Sequence, residues 1–120
     1  MRGAIMNPDE MKKRTKEFAK RVINLCRKLP QTEEARLVRN QLFRAGTSVG
    51  SNYRAACRGR SKADFISKLG IVLEEADESL YWMEIIVEAN IMKVDLLTSL
   101  MEEAKELIAI FVCSLNTAKG

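Results

Sequence analysis

Apolar residues in this chain recur at intervals of three, four and seven and never in alternation, and the pattern divides into four blocks. Met11, Phe18, Val22, Leu25 and Leu29 make the first stripe. At about 100° per residue, Lys13, Lys16, Lys20 and Arg27 fall on the opposite side of that helix. The second stripe is Val38, Leu42, Ala45, Val49, Tyr53 and Ala56; Arg36, Arg39, Arg54 and Arg58 lie roughly opposite, with Arg44 at the edge. Phe65, Leu69, Val72, Ala76, Leu80, Met83 and Val87 form a near-heptad seam. Leu97, Leu100, Ala104, Leu107, Ile108, Phe111 and Leu115 complete the set, with Glu102, Glu103, Lys105 and Glu106 largely turned away.

Punctuation between the blocks agrees with the periodicity. Asn7-Pro8 gives an N-cap followed by proline at the first helical position, with Asp9 and Glu10 at the positive end of the dipole. Leu29-Pro30 ends this helix, and Thr32 opens the next. Gly59 stands where a left-handed C-cap belongs, and Ser61 with Asp64 forms a variant capping box. Asn90 caps the third helix, and Asp95 lies near the start of the fourth. Helices over 8–29, 33–57, 62–90 and 95–116 follow, in one domain spanning 1–120. The expected fold is all-α, an antiparallel up-down-up-down four-helix bundle. Residues 1–6 carry no helical pattern. Gly46 and Gly50 sit inside the second helix, where close approach by a neighbouring helix accounts for them; a phosphate cradle needs a preceding strand, and there is none.

Composition narrows the chemistry. The 120 residues include no histidine, which excludes Ser-His-Asp and Cys-His chemistry as usually built, and also the Glu-x-x-His motif of di-iron bundles. Cys26, Cys57 and Cys113 lack zinc-ligand spacing and read as reduced thiols, two of them buried. Arginines beside Cys57 favour a thiolate, but a small packed side chain is the ordinary role. No cofactor, metal or catalytic residue is expected. Apolar runs fall far short of the roughly 20 residues that span a bilayer, so no membrane role and a cytoplasmic location are expected.

Charge changes the picture more. Residues 1–60 carry 15 Lys or Arg against 5 Asp or Glu, and residues 61–120 carry 5 against 11. A chain so polarised can pair with itself, with a second copy, or with a polyanion. The candidate phosphate contacts are Lys13, Lys16, Lys20, Arg36, Arg39, Arg44, Arg54 and Arg58. Few aromatics accompany them, so binding to RNA or DNA would be led by charge and shape. The alternative is a scaffold in which basic and acidic halves satisfy each other, for instance Arg54 and Arg58 against Glu74 and Glu78. Trp82, with Ile71 and Ile86, widens the apolar surface of the third helix and marks a candidate subunit contact.

Two segments, SVGSNYRAA and SKADFISKLGIVLEEADESLYWMEII, occur together at a distinctive spacing. With them the chain, over about residues 10–115, resembles the bacterial four-helix-bundle family encoded in intervening sequences of 23S ribosomal RNA genes. More distantly it resembles the accessory proteins of diversity-generating retroelements. The resemblance implies a homopentamer with a central channel and, from the retroelement relatives, binding to nucleic acid and to a reverse transcriptase. Asn52, Tyr53, Arg54, Phe65, Glu75, Glu78 and Trp82 match family motif positions, most of them expected to be structural. No catalytic residue carries over. The expected function is a non-catalytic oligomeric protein that binds nucleic acid through its first two helices within a ribonucleoprotein or retroelement-like assembly.

Overall fold

The computed structural model describes residues 7–120 and contains four α-helices and no strand among them. They are α1 (Pro8–Lys28), α2 (Glu33–Cys57), α3 (Lys62–Glu88) and α4 (Thr98–Lys119). The unpatterned stretch 1–6 lies outside the described residues.

Local chemistry fixes most of the boundaries. The Asn7 carboxamide oxygen accepts from the backbone N–H groups of Asp9 and Glu10, satisfying two of the orphan donors of the first turn. The hydroxyl of Thr32 caps α2 through the Ala35 N–H, and that of Ser61 caps α3 through the Asp64 N–H. The Asp64 carboxylate reaches back to the Arg60 N–H, completing a reciprocal box. This contact and the Lys68 ammonium hold the Asp64 carboxyl below the usual range, Lys68 having the larger effect. Helix α3 ends in a Schellman motif: Asn90 is left-handed at φ 58°, and the Asn90 and Ile91 N–H groups donate to the Val87 and Ile86 carbonyls.

The α2–α3 turn and both ends of α4 differ from the sequence expectation, α4 running on to Lys119 rather than stopping at 116. Gly59 is not left-handed; a Cβ there would meet the Ala56 carbonyl and the Phe65 nitrogen, both at 3.1 Å. The tight α2–α3 turn therefore selects glycine for closeness rather than for handedness. Before α4 the chain makes a short 3₁₀ turn, Val94–Leu96, and α4 begins at Thr98 without a side-chain cap.

Consecutive helices run antiparallel. Gly46 and Gly50 of α2 lie against Val22 and Thr15 of α1, and Arg44 of α2 meets Glu75 and Glu78 of α3. The start of α3 and the end of α4 meet at one end of the bundle, and Arg14 and Arg21 of α1 reach Glu103 and Ser99 of α4. The α1–α2 seam is unusually close. A Cβ on Gly46 would stand 2.7 Å from a Val22 methyl, and one on Gly50 3.1 Å from the Thr15 hydroxyl. Thr15 is fully buried and donates its hydroxyl to the Met11 carbonyl one turn back, so no polar group is stranded at this approach.

The core is continuous from Met11 and Phe18 through Leu42, Val49, Leu69 and Met83 to Leu107 and Phe111. On α3 the buried row is Leu69, Val72, Ala76, Ser79, Met83 and Ile86, rotated from the expected seam. Ser79 enters the core because its hydroxyl donates to the Glu75 carbonyl at 2.8 Å. Leu80 and Val87 flank the row instead. This overturns one site expectation: Ile86 is fully buried within the subunit and offers no surface to a second one.

Candidate nucleic-acid interface

The candidate cations separate into an engaged group and a convergent one. Four of the eight are engaged. Arg44 reaches from α2 to Glu75 and Glu78 of α3. Its hydrogen bond, and secondarily that of the Trp82 indole N–H, hold the Glu78 carboxyl below the ordinary range. Arg36 pairs with Glu33 one turn back at 2.6 Å, and Lys20 with Glu17 at 3.4 Å. The Arg39 guanidinium donates to the Cys26 and Pro30 carbonyls, closing the end of α1. These four serve the fold or their own helix surface.

The other four converge. Lys13 and Lys16 of α1 and Arg54 and Arg58 of α2, joined by Lys12, line a groove of about 260 Å³ between the two helices. Lys13, Lys16, Arg54 and Arg58 are exposed, and none of the five makes an ion pair among the described residues. Their convergence has a packing cause. Gly50 brings α2 onto Thr15, so the flanking turns, which carry Lys12, Lys13 and Lys16 on one helix and Arg54 and Arg58 on the other, are held side by side. Lys12 was missed in the sequence because it sits between the apolar stripe and the basic one. The expected pairing of Arg54 and Arg58 with Glu74 and Glu78 does not form; Arg44 takes Glu78.

Sequence reasoning also missed the ion pairs between α1 and α4. Arg14 of α1 forks onto Glu103 of α4 at 2.7 and 2.9 Å and onto Glu106 at 2.6 Å. Hydrogen bonding to Glu103 raises the guanidinium pKa further, burial opposing. Glu103 therefore faces α1 rather than solvent.

The remaining candidate contacts lie on α3. Ile71 is exposed and Trp82 half-buried, its ring stacked edge-on against the exposed Tyr81 at 5.0 Å. Of the three cysteines only Cys26 is buried, and burial pushes its thiol up to about 11, with Arg39 opposing; Cys57 and Cys113 are half-buried. No cluster of potential metal ligands occurs among the described residues, and no described helix is long and apolar enough to cross a membrane.

Among the described residues, fold and groove together define a small helical bundle with a face of cations that make no ion pair. The chain belongs to the 23S rRNA-intervening sequence protein family, whose model matches residues 9–112. A crystal structure from the S23 ribosomal protein family, of a Bacteroides thetaiotaomicron VPI-5482 protein described as having unknown function, is similar to it. The two are 31% identical with a TM-score of 0.83 over 96% of this chain and 100% of that one. No curated protein matches the chain.

Proposed function

We propose that this protein is a non-catalytic, self-associating module that binds nucleic acid through the phosphate backbone. The observation that carries the reading is the α1–α2 groove, where Lys12, Lys13, Lys16, Arg54 and Arg58 stand together without carboxylate partners among the described residues. Five cations in one groove repel one another, and a row of phosphates relieves that repulsion while releasing condensed counterions. Self-association is supported by Ile71 and Tyr81 on the outside of α3 and by Gly70 beside them, where a Cβ would meet nothing within the subunit. A mid-helix glycine costs about 1 kcal/mol, which close approach by a second copy explains. A ring of such subunits, pentameric as in the family resemblance, would multiply the groove and could present it to a reverse transcriptase–RNA complex or another ribonucleoprotein.

The test is charge reversal at Lys16 and Arg54, with mass followed by light scattering. The reading predicts an intact oligomer that no longer gains mass with RNA or DNA at low salt. Dissociation of the oligomer by the same change contradicts it, since the groove would then be a subunit contact.

A second reading, a protein-interaction scaffold without nucleic acid, draws on Arg14 and Arg44, each held between two carboxylates of the acidic half. An oligomer indifferent to nucleic acid at every salt concentration is its signature.

A further inference from the structure

Beside the cationic groove lies an apolar recess of about 500 Å³, where the starts of α1 and α3 meet the ends of α2 and α4. Lys12 lines both features. Along α2 the two alternate residue by residue: Tyr53 and Cys57 face the recess, while their neighbours Arg54 and Arg58 face the groove. Three aromatic rings, Tyr53, Phe65 and Phe111, contribute to its walls, with Tyr53 and Phe111 tilted at 35° and 6.1 Å apart. Ser114 and Thr117, on the last turns of α4, also line it.

We propose that this recess receives one unstacked base of a nucleic-acid strand whose neighbouring phosphates lie along the groove. The ligand class is then RNA or DNA with an unpaired nucleotide, and the inference rests on the nucleic-acid reading above. Two features favour a base over an acyl chain. A lipid carboxylate or phosphate uses one or two cations, whereas five lining one groove suit a ligand that carries several phosphates. Aromatic walls with a serine and a threonine among the lining residues suit a flat ring with a polar edge; every base has a face to stack and donors or acceptors at its rim. A base paired within a duplex does not reach the recess, so the groove alone binds double strands and the recess adds a preference for unpaired ones.

The experiment compares short single strands of RNA and of DNA, perfect duplexes, and duplexes with one bulged 2-aminopurine. Single and bulged strands are expected to bind about tenfold tighter than perfect duplexes, with the 2-aminopurine fluorescence changing on binding. The RNA and DNA arms report which sugar is accepted. Ser114→Trp fills the recess from its half-buried rim and removes the preference while leaving duplex affinity. Ala118→Phe does the same from the last turn of α4, and circular dichroism checks that both fold. Equal wild-type affinity for bulged and perfect duplexes overturns base capture and leaves the groove reading standing. So does a preference that survives in both folded variants. Failure to bind any nucleic acid overturns the groove reading, and this inference with it.

Discussion

Arg44 and Arg54 belong to one helix and one basic stripe, yet they occupy opposite situations. Arg44 lies toward α3 and is clamped between Glu75 and Glu78. Arg54 lies toward α1 and faces Lys12, Lys13 and Lys16. They point to different sides of α2, and the helix on each side decides the outcome. A charge stripe therefore becomes a structural tie or a free surface according to the sign of the neighbour that packing brings up. In this bundle Gly46 and Gly50 decide which turns of α1 and α2 are brought together.

The largest expected effect is on binding. Arg54→Glu with Arg58→Glu should weaken affinity for a duplex by about 100-fold at low salt and leave the melting temperature unchanged. Arg44→Glu should do the reverse, lowering the melting temperature while filter binding stays near wild type. If both variants lose binding equally, the distinction between tied and free arginines fails.

Next comes the seam that holds the groove together. Gly46→Ala forces a methyl against Val22, which is branched and fully buried, and should cost about 1–2 kcal/mol after the helix-propensity gain is counted. Gly70→Ala meets open space and should gain up to about 1 kcal/mol in the same urea titration, provided the chain is monomeric. In the oligomer that gain should shrink or reverse.

Smaller effects should follow from protonation. The Glu78 carboxyl titrates below its ordinary value of 4.5 in the folded state, chiefly through its hydrogen bond from Arg44. Its contribution is present above that value and is lost as pH falls through the folded pKa, so acid should narrow the stability difference between wild type and Glu78→Gln. The smallest is kinetic: Cys57 and Cys113 should react with a thiol reagent at mildly alkaline pH well before Cys26, whose thiol is buried and pushed up to about 11.

Helices and caps were legible because their signals are local. Asn7-Pro8, Thr32 and Ser61 with Asp64 each act within one turn, and the structure uses all three caps. The close α1–α2 seam was legible too, from glycines that a helix tolerates only for a reason. The face of α3 was misread where polarity and burial part company. The apolar spacing led through Leu80 and Val87 and left Ile86 outside; the Ser79 hydroxyl is satisfied by its own helix, so Ser79 packs and Ile86 packs with it. The site was half legible. Sequence periodicity placed eight cations on outer faces but says nothing of which neighbouring helix each one meets, so Arg39 and Arg44 were grouped with cations that make no ion pair among the described residues. The Arg36–Glu33 and Lys20–Glu17 pairs lie within one turn and were open to a local reading. The Arg14 fork onto Glu103 joins residues 89 positions apart, a relation no local pattern carries.

The most direct test of the central claim is the salt dependence of duplex binding by the wild-type protein and by Lys16→Glu/Arg54→Glu. Five groove cations predict a plot of log affinity against log salt with a slope of about −4.5 per subunit engaged, becoming markedly shallower in the variant. A wild-type slope near zero, or an equal slope in the variant, would contradict the groove as a phosphate-binding surface.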